Sequence, residues 1–229
     1  MLNASLIGAR RLVSDLGHYG LMAGPVRRAL IEPAASISDD ALRLLLAYYG
    51  RRLGAAGLNA GSSGNLSARC RDGVSVLITR RGANKSRHSP ADLCRLRLDA
   101  GPAERDEASS EFAMHCACYL ASGTTGAVIH THAPALTAAG IRGLNIADIL
   151  PEAVAVLGGV RVVPFAASGS QALADTVGAA VAEGAGLVIL ERHGAVSVGA
   201  TPAIAADRME FGELSARTVL LATGAPPCA

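Results

Sequence analysis

The strongest constraint on how this chain can fold is the stretch 108–134, ASSEFAMHCACYLASGTTGAVIHTHAP. It ends in His130-Thr131-His132, preceded by the apolar, β-prone Val128 and Ile129 and by Gly126-Ala127. That pattern predicts a short buried strand. Strand side chains alternate between faces, so residues two apart project the same way. His130 and His132 are therefore expected to aim at one spot, an arrangement that suits a divalent metal, zinc above all. The plainer alternative is two ordinary polar residues at a strand end.

Two further features bear on that choice. Upstream of the pair lies Ser109-Ser110-Glu111, followed by FAMHCACYLA. Phe112, His115 (or Cys116) and Tyr119 fall at helical spacing, which predicts a helix capped by Ser109 or Ser110 with Glu111 in its first turn. A carboxylate there can simply complement the helix dipole. Downstream, Leu187-Val188-Ile189-Leu190 reads as a second buried strand running into Glu191-Arg192-His193-Gly194 and then Ala195–Val198. His193 could complete a three-histidine site. Three protein ligands leave a coordination position open for substrate, as in catalytic rather than structural metal sites.

The rest of the chain supplies the frame. At 229 residues one core is possible without disulfide support. A net charge of +2 points to neither nucleic acid nor a membrane surface as partner. The five cysteines (70, 94, 116, 118, 228) are odd in number and scattered. Residues two apart on a helix do not face each other, so Cys116 and Cys118 are not expected to form a metal site, and free thiols in a reducing cytoplasm are the economical reading. Within 1–37, Leu6, Ile7, Leu12 and Leu16 predict a helical arm; Arg10 and Arg11 interrupt it, so neither a signal peptide nor a membrane span is expected. Ser38-Asp39-Asp40 opens a helix whose apolar stripe is Leu42, Leu45, Leu46, Tyr49 and Leu53. A last helix opens at Thr201-Pro202. Ile204, Phe211, Leu214, Thr218 and Leu221 are its expected buried stripe, and Glu213 and Arg217 an exposed i,i+4 pair.

Between these lie loops suited to an anion. Gly61-Ser62-Ser63-Gly64-Asn65 is a Gly/Ser loop whose amides could form an anion nest, or a plain turn. The expected strand 74–79 runs into Arg80-Arg81-Gly82-Ala83-Asn84-Lys85. Four cations lie between Arg80 and Arg87; they form a solvated loop, or Arg81 or Lys85 adds to an anion site.

Four blocks in this order, 57–69 (GLNAGSSGNLSAR), 77–92 (LITRRGANKSRHSPAD), 109–132 and 190–199 (LERHGAVSVG), resemble the class II aldolase/adducin family over roughly residues 38–222. The strand and helix alternation predicts an α/β domain. The resemblance implies a three-layer α/β/α architecture with a central mixed, largely antiparallel sheet, a domain over 38–222, a short tail over 223–229, and a homotetramer with active sites at subunit interfaces. It further implies one Zn2+ per subunit on His130, His132 and His193, with Mn2+, Co2+ or Fe2+ as other divalent candidates. Glu111 would be a catalytic acid/base. A substrate phosphate would be held by Ser63, Gly64, Asn65, Arg81, Gly82, Ser109 and Ser110. Where the family commonly has a small hydroxyl residue before Gly82, this chain has Arg81. Where fuculose-type aldolases carry a catalytic Tyr, Glu152 stands, and no Tyr follows Tyr119. Glu152 is thus the second expected catalytic group, with Ile149, Leu150 and Val154 supplying the apolar surroundings such an acid needs. A Glu at this place resembles methylthioribulose-1-phosphate dehydratases of the family, although those generally lack the glutamate of the Ser-Ser-Glu triplet. The implied function is a zinc-dependent cytoplasmic aldolase, cleaving a ketose 1-phosphate to dihydroxyacetone phosphate and an aldehyde. A dehydratase, epimerase or decarboxylase on the same chemistry, and a non-catalytic adducin-like module, are the other readings.

Overall fold

The computed structural model describes residues 37–224. The expected arm over 1–37 (apart from Ile37), most of the tail over 223–229, and Cys228 lie outside them. The helix opened by Ser38 is α1 (Asp39–Ala55); the Ser38 hydroxyl accepts from the Ala41 N–H at 3.3 Å. All five expected stripe residues of α1 are buried. There follow β1 (Asn65–Arg69), β2 (Ser75–Thr79), β3 (Leu93–Arg97), α2 (Phe112–Ala121), β4 (Ala127–Thr131), α3 (Pro134–Ile141), α4 (Pro151–Leu157), β5 (Val160–Val163), α5 (Gln171–Ala182), β6 (Leu187–Leu190), β7 (Gly194–Gly199) and α6 (Pro202–Ala222). The strands form one sheet in the order β3-β2-β1-β4-β7-β6-β5. Every neighbouring pair is antiparallel except β5 with β6.

The sheet is covered on both faces, which makes the three expected layers. Alternation along the strands sorts their residues: Leu66, Ile129, Leu187 and Ile189 pack with α1, α3, α4 and α6, and Val128, Val188, Leu190 and Val196 pack with α2 and α5. His130 shares the parity of Val128, so its side chain lies on the α2 face, where Glu111 begins the helix.

Two expectations about α6 are corrected. Its buried face is Ala205, Ala206, Met209, Gly212, Glu213, Ser215, Ala216 and Leu220, while Leu214 and Leu221 are exposed. Small residues let this helix approach the sheet closely, and a Cβ at Gly212 would meet a Leu187 methyl. The large apolar residues were therefore a misleading guide to its orientation. Glu213 does pair with Arg217 at 3.2 Å, but it is buried and accepts from the Ala135 and Leu136 N–H groups at 3.1 and 2.9 Å. It caps α3, the helix that follows His132, where unpaired N–H groups would otherwise be buried.

Cys70, Cys94, Cys116 and Cys118 are buried free thiols, and among the described residues no helix is long and apolar enough to cross a membrane.

Candidate metal centre

Sheet topology creates the site. Strands β4 and β6 are both antiparallel to β7 between them, so both end at the same edge. His130 is the fourth residue of β4 and His132 follows the strand. The β6–β7 turn brings in the third imidazole. There Arg192 has φ +60°, the one positive φ among described non-glycine residues, and the His193 N–H donates to Leu190 O at 3.0 Å. Gly194 presses the turn against β4: a Cβ there would run into the Thr131 carbonyl and lie 3.1 Å from His132 Cα. The three rings form a nearly equilateral triangle with centroids 5.0, 4.9 and 5.0 Å apart.

One potential ligand atom from each ring lies within 4.8 Å of the other two. His130 Nδ1 is 3.0 Å from Ala195 O, which can only accept, so Nδ1 carries the proton. In the neutral ring Nε2 then presents a lone pair. It lies 3.0 Å from Glu111 Oε2, close enough to be an ion pair by distance, yet it makes no well-aligned hydrogen bond. A lone pair facing an anionic oxygen is unfavourable unless a cation lies beside both. Nδ1 of His193 is likewise buried without a partner. A backbone carbonyl holding one ring nitrogen while the other is left bare is the usual support of a metal-ligating histidine. Desolvation of its ring nitrogens and the two neighbouring imidazoles push His132 down to about 4, and desolvation and His130 lower His193 against the opposing Glu111 charge. Neutral imidazole is the ligating form. The donor set therefore fits a divalent ion of the zinc type.

Glu111 sits directly behind the triangle. It is itself the N-cap residue of α2, so neither Ser109 nor Ser110 caps the helix as expected, and its side chain makes no capping bond. Ser109 Oγ instead accepts from the Glu111 N–H at 3.3 Å. The carboxylate is 3% exposed. Oε2 accepts from Asn65 Nδ2 at 3.1 Å, Oε1 accepts from Ser168 Oγ at 2.9 Å and lies 3.5 Å from His193 Nε2. Burial alone would raise this carboxyl; the contact with His130, the Asn65 amide and the nearby His193 outweigh it and hold it well below the usual carboxylate range.

The expected anion loops lie along the same edge. Asn65 pairs with His130 across β1 and β4. Gly64 (φ +70°) must be glycine, since a Cβ would collide with the Asn59 side-chain oxygen and the His130 carbonyl. Ser63 Oγ accepts from the Ala60 N–H at 2.9 Å. Lys85 is buried at 2% exposure and ties two loops together, its Nζ donating to Ser62 O and Ala83 O at 3.1 and 2.5 Å. Burial lowers it to about 8. Arg81 and Gly82 are exposed, and the Arg81 N–H donates to Glu107 O at 2.8 Å, beside Ser109, whose N–H bonds Thr79 O at 3.0 Å. Ser110 is exposed, its carbonyl against Gly169. Asn65, expected at the phosphate, has its amide engaged by Glu111 and His115, with one of its two N–H groups left over.

Glu152 stands apart. It is an exposed first-turn residue of α4, and the contacts of Glu111 run to His130, His193, Asn65 and Ser168. Among the described residues the apolar shelter expected from its neighbours is open, since Val154 is 51% exposed. Two residues at the site carried no sequence signal: Ser168, on the loop before α5, and Asn59, whose Oδ1 accepts from the His132 N–H at 3.4 Å.

The family model for the class II aldolase and adducin N-terminal domain matches residues 45–220. The chain belongs to the class II aldolase and adducin family. It is 37% identical over 153 residues, 66% of this chain and 70% of the relative, to the 5-methylthioribulose-1-phosphate/5-deoxyribulose-1-phosphate aldolase of Escherichia coli O45:K1 (strain S88 / ExPEC). It is 38% identical over 135 residues, 58% of each chain, to the methylthioribulose-1-phosphate dehydratase of Acidiphilium cryptum (strain JF-5). The crystal structure of L-fuculose-1-phosphate aldolase from Thermus thermophilus superimposes with a TM-score of 0.71 and 29% identity, covering 82% of this chain and 98% of that one.

Proposed function

We propose that this member of the family is a cytoplasmic, zinc-dependent lyase. It would cleave a 5-deoxy- or 5-methylthio-ketose 1-phosphate reversibly to dihydroxyacetone phosphate and an aldehyde. The observation that carries the reading is the buried Glu111 carboxylate, 3.0 and 3.5 Å from two histidines of a three-histidine ligand set. The aldolase relative supports the substrate class.

His130, His132 and His193 would hold the ion. A divalent cation there acts as a Lewis acid, polarising the C2 carbonyl and stabilising the charge left on C3 when the C3–C4 bond breaks. Glu111 then moves one proton. In synthesis it takes the proton from C3 of dihydroxyacetone phosphate, as a carboxylate held anionic can; in cleavage it returns it. Asn65 and Ser168 keep both carboxylate oxygens in place during that exchange. The loops carrying Ser63, Gly64, Arg81, Gly82, Ser109 and Ser110 would bind the phosphate, with Lys85 tying the Ser62 and Ala83 carbonyls together.

A second proton, on the C4 oxygen, must also be moved. Glu152 is assigned that task, reaching the exposed side of His132 from a neighbouring subunit of a homotetramer. Its identity also supports the second reading, a dehydratase, because the same carboxyl could release the oxygen as water; the similarity to a methylthioribulose-1-phosphate dehydratase also favours it. Incubating the metal-loaded protein with a panel of ketose 1-phosphates separates the readings. Dihydroxyacetone phosphate plus aldehyde means aldolase, a diketone phosphate means dehydratase, and no turnover of any member of the panel refutes both.

A further inference from the structure

Behind Glu111, hydrogen bonds run into the core, and one assignment of protons satisfies all of them. Glu111 Oε2 accepts, so the Asn65 group 3.1 Å away is its NH2. The Asn65 oxygen therefore faces His115 Nε2 at 2.5 Å. An amide oxygen cannot donate, so Nε2 carries the proton. Complete burial, with His130 nearby, lowers His115 to about 3 and keeps it neutral. Its Nδ1 is then an acceptor, and Ser67 Oγ, 2.6 Å away, donates to it. Ser67 has spent its one proton, so the Tyr119 hydroxyl donates to Ser67 Oγ at 2.7 Å. Each donor thus points toward Glu111. Ser67 and His115 are fully buried, and Tyr119, Glu111 and Asn65 are 2%, 3% and 4% exposed.

Apolar side chains would fill this space between β1, β4 and α2 at lower desolvation cost. A buried polar chain in which each member is satisfied fixes one arrangement of its groups. The reversed arrangement would turn the Asn65 oxygen toward the carboxylate, anion against dipole.

We propose that His115 is a positioning residue of the site: by donating its Nε2–H to Asn65 Oδ1 it fixes which way the Asn65 amide faces, and so holds the Glu111 carboxylate against the three histidines. This rests on the reading of Glu111 as the proton carrier, and its test has an arm that needs no activity. In protein labelled with 15N-histidine, NMR at pH 7.5 is expected to show His115 as the neutral Nε2–H tautomer. The Nδ1–H tautomer would overturn the inference, because it reverses every bond to Glu111. In the second arm, the rate of proton exchange at C3 of dihydroxyacetone phosphate in 2H2O is measured. His115→Leu is expected to lose roughly 10–100-fold in rate, the scale of a slightly misplaced catalytic group, with metal content and dissociation constant for dihydroxyacetone phosphate unchanged. His115→Gln, whose amide N–H can replace Nε2–H, is expected to recover most of the loss. Equal losses in two folded variants mean that His115 only fills space, which also overturns the inference. A wild type that exchanges no proton and cleaves no ketose phosphate refutes the proposed function instead. In that case, or if neither variant folds, the tautomer of the wild type decides for or against His115.

Discussion

Replacing Glu111 by Gln removes a charge and changes little else. Glu111 accepts one hydrogen bond on each oxygen, from Asn65 at 3.1 Å and Ser168 at 2.9 Å. A glutamine oxygen in the place of Oε2 keeps Asn65. The amide nitrogen then faces Ser168, whose hydroxyl can turn and accept. Two charge-assisted bonds become neutral ones of about half the strength, a loss of about 1–3 kcal/mol in all. The smaller cost of burying an amide than an anion offsets it. The melting temperature of the metal-loaded variant is therefore expected within a few degrees of wild type. The catalytic effect is of another size. Loss of a general acid/base costs about 10²–10⁴-fold, or about 3–5 kcal/mol of barrier. Calorimetry, elemental analysis for metal, and proton exchange at C3 of dihydroxyacetone phosphate read the three quantities separately. Expected are a full complement of metal, a near-normal melt and exchange slowed at least 10²-fold. A variant exchanging at more than about a tenth of the wild-type rate would refute the role of Glu111. Loss of metal together with activity would refute the separation of ligand and acid/base roles.

The remaining predictions concern the ligands, the loop and the core. His132→Ala is expected to leave the fold intact, since His132 is exposed, and to strip the metal; retention of one tightly bound divalent ion per chain would remove His132 from the ligand set. Gly64→Ala is expected to destabilise by about 2–4 kcal/mol, from the left-handed backbone and the collision with the His130 carbonyl; a urea midpoint equal to wild type would contradict this geometry. Asp207 is raised to about 6 by burial and Glu210 against the opposing Arg52, with its side chain 26% exposed. Its folded value lies above the unfolded one, so its favourable contribution is present below about pH 4 and lost as pH rises through 6. Asp207→Asn is accordingly expected to gain about 1–2 kcal/mol at pH 7.5 after solvent screening and none at pH 4; a destabilised variant at pH 7.5 would reverse the sign of the argument.

What the sequence made legible was what depends on local periodicity. The strands 128–131 and 187–190, the caps Ser38 and Thr201, and the stripe of α1 follow from alternation, hydroxyl caps and 3.6-residue spacing. The three histidines were legible as a pair two apart at one strand end and a third at the end of another; β4 and β6, both antiparallel to β7 between them, bring those ends to one edge. The sequence failed where tertiary packing chose between local options. Helix α6 turned its small residues inward because Gly212 and Ala216 permit a closer approach than Leu214 and Leu221 do. Glu213, which local charge pattern places outside, is inside because α3 begins beneath it. Ser168 was invisible because a lone serine 57 residues from Glu111 carries no pattern of its own.

The direction of approach to the site follows from what surrounds each ligand. Glu111, His130 and Asn65 have the sheet, α2 and the chain of donors behind them, and are at most 4% exposed. His132 is exposed and His193 partly so. On the proposed function a substrate would reach the three histidines from the exposed His132 side, with Glu111 buried behind them. The C4 oxygen of such a substrate would then lie toward the open side, away from Glu111. A single carboxylate cannot serve both faces, so the proposed second acid/base would arrive from the open side. Glu152, exposed at the start of α4 and unsheltered by Val154, would have to be brought to the site of a neighbouring subunit. That ties the assignment of Glu152 to assembly: Glu152→Gln should lower turnover without changing metal content in the oligomer. Dilution to monomers should cost as much as the substitution.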